Sequence, residues 1–111
     1  MTTEEVAQAY FDAVTAHDAD AVKACFADDG ELISSTGHYR GPEEIAMFYR
    51  DTTFRAADLR PQPGKFLVVG NQLMVEITLH MNGGRTAVAD FFTIENDKIR
   101  RLAVYLGGQL P

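Results

Sequence analysis

The stretch Leu73-Met74-Val75-Glu76-Ile77-Thr78-Leu79-His80-Met81 decides the fold. Val75, Ile77 and Leu79 alternate with Glu76, Thr78 and His80, a period of two. Successive side chains of an extended backbone point to opposite faces, so this pattern predicts an antiparallel strand with one buried and one solvated face. Upstream, Phe66–Val69 followed by Gly70-Asn71 predicts the other arm of a hairpin. Downstream, Asn82-Gly83-Gly84 and Glu95-Asn96-Asp97 predict two further turns. The C-terminal half therefore reads as four strands in a meander. Pro61 and Pro63 confine any strand there to an edge or a bulge, because proline donates no ladder hydrogen bond.

Moving outward to the N-terminus, the period changes. Thr2-x-x-Glu5 has capping-box spacing, and Val6, Ala9, Tyr10, Ala13 and Val14 then recur as one stripe of an amphipathic helix ending near His17. Asp18 or Asp20 can cap a second short helix with Val22, Cys25 and Phe26 inward, which Asp28-Asp29-Gly30 should stop. Glu31–Ser35 reads as a short strand with Leu32 and Ser34 sharing a face, and Thr36–Gly41 as a glycine-containing loop. Pro42, followed by Glu43 and Glu44, starts a third helix whose inner face is Ile45, Phe48 and Tyr49. Helices segregated onto one face of an antiparallel sheet make an α+β fold.

Composition bounds what such a fold can do. The chain has 111 residues, which fits one domain over 1–111, and its hydrophobic content of 46% is enough for a core. With 10 Lys+Arg against 16 Asp+Glu, the net charge of −6 argues against a phosphate-backbone binder. The densest basic stretch is Lys98-Ile99-Arg100-Arg101. The single cysteine, Cys25, excludes an intrachain disulfide and a paired-cysteine zinc site, and reads as a small core residue. The N-terminal segment has neither a basic region nor an apolar run, and no stretch approaches the ~20 apolar residues of a membrane span. The expectation is a soluble, cytoplasmic protein that binds neither membrane nor nucleic acid.

Four segments carry a resemblance: Tyr10–Asp18 (YFDAVTAHD), Phe26–Asp29 (FADD), Arg40–Ile45 (RGPEEI) and Asp90–Ile99 (DFFTIENDKI). With the element order, they make the chain resemble the NTF2-like superfamily, the cone-shaped α+β fold of ketosteroid isomerases, SnoaL-type polyketide cyclases and limonene-epoxide hydrolases. The resemblance implies three N-terminal helices packed on a curved, mostly antiparallel sheet, with a pocket opening into the cone. Ketosteroid isomerases place there a tyrosine and a protonated aspartic acid that donate to a developing enolate oxygen. Tyr10 and Asp90 match those two donors, and Tyr49 matches a second tyrosine that hydrogen-bonds the first. The implied wall also takes Phe26, Ser34, Phe48, Phe92, Leu102 and Val104.

The departures are as informative. The position of the isomerases' general base is Ser34, and a serine hydroxyl cannot shuttle a proton near neutral pH unaided. Phe26 replaces a tyrosine of the same network, and Val104 stands where cyclases and epoxide hydrolases carry a last-strand aspartate. Asp90 shares its strand face with Val88, Phe92 and Ile94, where a carboxylate is costly unless protonated or paired. The same register puts Leu102, Val104 and Leu106 on the concave face. His38, in the loop with Tyr39 and Arg40, reads first as a solvent-exposed histidine and second as a candidate for the missing base. His17, His38 and His80 have diverging expected faces, so no metal and no other cofactor is expected. Glu76, Thr78, His80, Arg101, Ala103 and Tyr105 fall on the convex face, through which the resemblance implies a homodimer. Two functions stay open: an isomerase, cyclase or lyase using a Tyr/Asp oxyanion pair on a small apolar or aromatic molecule, and a non-catalytic ligand-binding or dimerisation module.

Overall fold

The computed structural model describes residues 1–111. Thr2 opens α1 (Thr3–Thr15) with the expected capping box: its hydroxyl accepts from the Glu5 N–H at 3.1 Å, and the Glu5 carboxylate accepts from the Thr2 N–H at 2.8 Å. A cap of this kind stabilises a helix by about 1 kcal/mol. The buried face of α1 is broader than the sequence stripe, because Ala7 and Phe11 join Val6, Tyr10, Ala13 and Val14. Asp18 caps α2 (Ala19–Cys25) by accepting from the Ala21 N–H at 3.0 Å. Gly41, at φ 83°, supplies the left-handed entry to α3 (Pro42–Asp51), which buries Ile45, Ala46 and Tyr49. A single 3-10 turn, Thr53–Arg55, follows it.

Three expectations for the segment between α2 and α3 are corrected. Phe26 is not on α2; it is the first residue of β1 (Phe26–Ser34), with extended backbone, and it pairs with Ile99. Asp28-Asp29-Gly30 does not stop an element but forms an irregularity within β1, where the register shifts between Phe26 and Glu31. Gly30 is required there: a Cβ would lie 2.9 Å from the carbonyl oxygens of Ala27 and Ile99. Much of the expected 36–41 loop is a strand, β2 (Gly37–Arg40), antiparallel to β1. Its inward residue Tyr39 stacks on Phe48, with ring centroids 4.3 Å apart, and that contact holds the strand down.

The remaining strands are β3 (Arg60–Pro63), β4 (Leu67–Val69), β5 (Gln72–Met81), β6 (Gly84–Glu95) and β7 (Lys98–Gln109). They complete one sheet in the order β2-β1-β7-β6-β5-β3, with β4 also on β5. Only the β1–β7 pairing is parallel, so the sheet is mixed but mostly antiparallel. Pro61 and Pro63 sit on edge strand β3, as their missing N–H requires. Asn82-Gly83 and Asn96-Asp97 each place two consecutive residues at positive φ, the geometry of tight hairpin turns.

The helices cover one face of this curved sheet. Leu32, Leu73, Val75, Phe92, Ile99 and Leu102 from the sheet pack against Val6, Tyr10, Phe11, Val22 and Ile45. Each fully buried large side chain contributes about 1.5–3 kcal/mol relative to exposure. Cys25 is half-buried against the same cluster. The β6–β7 register pairs Val88 with Leu106, Asp90 with Val104 and Phe92 with Leu102, so all six share the concave face. Arg101 and Tyr105 point to the convex side, where Arg101 Nε lies 3.9 Å from Glu31. No helix is long and apolar enough to cross a membrane.

Candidate functional site

Between the helices and the concave face lies a cavity of about 480 Å³, within the roughly 300–1,000 Å³ typical of small-molecule sites. Strand alternation on β5, β6 and β7 supplies Ile77, Leu79, Val88, Asp90, Val104 and Leu106. Helix α1 contributes Tyr10, Phe11 and Val14, and α3 contributes Phe48 and Tyr49. The wall is mostly apolar, and Asp90 is its only carboxylate.

Asp90 is 4% exposed, and no protein group hydrogen-bonds to its carboxyl. Burial alone raises its pKa to about 7, since desolvation penalises the charged form and no nearby cation offsets it. Tyr10 and Tyr49, both buried, hydrogen-bond hydroxyl to hydroxyl. Burial pushes both phenols up; Tyr49 and then Asp90 add to the rise at Tyr10, and Asp90 adds to that at Tyr49. The three groups thus sit close enough for the charge of one to be felt by the others. In a two-hydroxyl bond one proton is shared and the other stays free. The cavity floor can therefore present one phenolic O–H and, below about pH 7, one carboxylic O–H.

Six of the nine expected site residues line this cavity: Tyr10, Ser34, Phe48, Tyr49, Asp90 and Val104. Phe26, Phe92 and Leu102 do not. They are 3%, 0% and 0% exposed and pack beneath the floor, where Phe26 and Phe92 hold the Tyr10 ring edge-on at 6.2 and 5.6 Å. Ser34 lies at the mouth rather than deep inside. Its Oγ is 3.0 Å from Thr36 Oγ1, accepts from the Thr36 N–H at 3.3 Å and donates to the Gly37 carbonyl at 3.4 Å. His38 is exposed: it pairs across from Ile33 on the outward face and bonds Glu31 at 2.9 Å. His17 reaches the Leu59 carbonyl and His80 reaches Gln62, so the three imidazoles have separate partners. No three His, Cys, Asp or Glu side chains converge.

Thr52, Thr53, Arg55 and Leu59, between α3 and β3, supply a part of the wall that nothing in the sequence announces. That segment has no periodicity to read. Ile77 and Leu79 were available, because the alternation of β5 already put them on the Asp90 side.

A family model described as a SnoaL-like domain matches residues 7–102. The chain belongs to the SnoaL-like domain family. Its fold is the one that solved structures of NTF2-like proteins share. The SnoaL-like chain superposes on an NTF2-like protein of unknown function from Cytophaga hutchinsonii with a TM-score of 0.84 and 20% identity, covering 96% of this chain and 91% of that one. A candidate polyketide cyclase from Sinorhizobium meliloti gives 0.84 at 22% identity, covering 95% and 100%. A protein with a ketosteroid isomerase-like fold from Catenulispora acidiphila, solved with trimethylamine, gives 0.81 at 21% identity, covering 94% and 86%. At these identities the likeness is one of fold. Among curated proteins, none matches this SnoaL-like chain.

Proposed function

We propose that the protein binds a small apolar or aromatic molecule bearing a carbonyl or phenolic oxygen, and holds that oxygen between Asp90 and the Tyr10–Tyr49 pair. One observation carries this reading: a buried carboxyl without a hydrogen-bonding partner faces a mostly apolar cavity beside two linked phenols. A buried polar group of this kind is costly, and a ligand oxygen that accepts from it offsets the cost. Catalysis, if the site performs it, is enolate stabilisation in an isomerase, cyclase or lyase reaction, where each well-placed donor is worth roughly 3–4 kcal/mol. The second reading, ligand binding without turnover, is favoured by the rim: Ser34 is tied into its own turn and His38 faces away. Neither supplies a base.

The experiment is a fluorescence titration with β-naphthol. Binding is expected at about pH 6 and weakens above about pH 7.5, because ionised Asp90 no longer donates a hydrogen bond to the naphthol oxygen. Asp90→Ala should weaken binding about tenfold or more and remove the pH dependence, since it deletes the group that titrates. Steroid isomerisation should be negligible until Ser34→Asp supplies a carboxylate, general-base catalysis being worth roughly 10²–10⁴-fold. No binding of the naphthol overturns the pocket reading. Binding by Ser34→Asp without turnover confines it to a binding module.

The convex sheet face completes the proposal as a homodimer interface. Leu67, Met74, Phe91, Ala103 and Ile33 lie in register across β4, β5, β6, β7 and β1, with Leu67 58% and Met74 41% exposed. An apolar row of this kind, exposed at Leu67 and Met74 and closed at Ala103, suits a twofold pairing. Sedimentation showing only a 12.3 kDa species at micromolar concentration overturns it.

A further inference from the structure

We infer that Arg55 makes the cavity selective for ligands carrying an anionic group at the end opposite the oxygen held by Asp90. This rests on the pocket reading above and adds the chemical class of the ligand. Arg55 is the only cation among the residues lining the cavity, and it lies at the exposed mouth while Asp90 lies on the buried floor. Arg55 is in no ion pair, and among the cations without one (Arg40, Arg60, Lys65, Arg85 and Lys98 are the others) it alone lines the cavity. Asp58, three residues on, is not its partner. Its two oxygens accept from the Asn82 and Gly83 N–H groups at 2.8 Å, and those amides, with His80 behind them, are what hold its pKa down.

Arg55 also stands apart from Asp90. Arg55 is exposed and ends the 3-10 turn after α3, whereas Asp90 is in the middle of β6 and 4% exposed. The same cavity has an apolar wall that includes Ile77, Leu79 and Val88. A rigid two-ring molecule with a hydroxyl at one end and a carboxylate at the other is the probe that such a pair of anchors calls for. In a chain of net charge −6, a free guanidinium at the mouth also offsets the repulsion an anion meets on approach. The planar fork suits a carboxylate, which it can hold through two parallel bonds.

The test compares β-naphthol with the hydroxynaphthoate that carries a carboxylate on the far ring, both at about pH 6 by fluorescence titration of the full chain. The native protein should bind the naphthoate about fivefold more tightly, the scale of one partly exposed charge-assisted contact. Arg55→Gln should bring the ratio of the two affinities to about one, and Arg55→Glu should invert it. The native ratio should also collapse at about 1 M salt, where the screening length is ~3 Å. Equal affinities in the native chain, or a preference that survives Arg55→Gln, overturns the inference and leaves the pocket reading standing. Failure of both probes to bind overturns both.

Discussion

The floor and the mouth of the cavity follow opposite rules, and two aspartates show it. Asp58, fully exposed near the mouth, collects two backbone amides and is held below the ordinary carboxylate range. Asp90, on the floor, has no partner and is raised to about 7 by burial alone. Around each, the neighbours follow suit. Ser34, Thr36 and Tyr39 satisfy one another's hydroxyls near the mouth, whereas Tyr10 and Tyr49 have only each other among apolar rings. Partnered groups have spent their hydrogen-bonding capacity on structure. Unpartnered buried groups keep it for a ligand, and the fold carries the cost.

The largest expected effect measures that cost. A folded-state pKa of about 7 against an unfolded value of about 3.9 means that Asp90 holds its proton more tightly in the native protein. The contribution of Asp90 to stability is therefore fully present below about pH 4 and is lost as pH rises through about 7. The loss is about 4 kcal/mol. Urea denaturation should show native stability falling over that window relative to Asp90→Asn, whose curve lacks the step. Parallel curves would break the contrast between floor and mouth.

A second comparison stays on one strand. Leu102 is fully buried beneath the floor and Leu106 is 56% exposed at the mouth, though both face the concave side of β7. Leu102→Ala should cost about 2–5 kcal/mol through lost burial and a residual cavity. Leu106→Ala should stay within about 1 kcal/mol, as surface substitutions do. Thermal unfolding distinguishes them, and equal losses would mean that the mouth is packed as tightly as the core.

These contrasts mark how far the sequence could be read. Elements with a strong period were legible: the α1 stripe, the β5 alternation and the β6–β7 register that carries Asp90 to the concave face. What escaped was local geometry decided by distant partners. Phe26 leaves α2 because Ile99 offers a strand pairing, and Gly37–Arg40 is a strand because Tyr39 finds Phe48. Of the site, the floor was legible through the family resemblance together with strand alternation. Depth was not. Phe92 shares its face with Asp90 yet lies below the cavity, and no periodicity says where along a strand the cavity begins. Arg55, in a segment without regular pattern, gave no signal at all.

A smaller effect is expected at the phenol pair. Tyr49→Phe removes one hydroxyl and leaves the buried Tyr10 hydroxyl without its protein partner. The expected loss is about 1–2 kcal/mol, the scale of an unsatisfied buried group that can still turn toward the cavity. Affinity for β-naphthol should fall only a few-fold, because the Tyr10 O–H keeps its place but loses the neighbour that orients it. Unchanged stability and affinity together would show that the two hydroxyls act independently.

The smallest effect is expected at Ser34, and it bears most directly on the base question. The Ser34 hydroxyl is engaged with Thr36 and the Gly37 carbonyl within the β1–β2 turn, at 3.0–3.4 Å. Those bonds are exposed or nearly so, and water can replace each of them when the hydroxyl is removed. Ser34→Ala should therefore change stability by less than about 1 kcal/mol. It should also leave naphthol affinity within about twofold, because a group already spending its lone pairs and its proton on the turn has none to offer a ligand. Isothermal titration of the native chain and Ser34→Ala side by side reads both quantities. A loss of affinity of about tenfold, worth ~1.4 kcal/mol, would mean that the hydroxyl leaves the turn to meet the ligand. Ser34 would then belong to the floor in function although it sits at the mouth in structure.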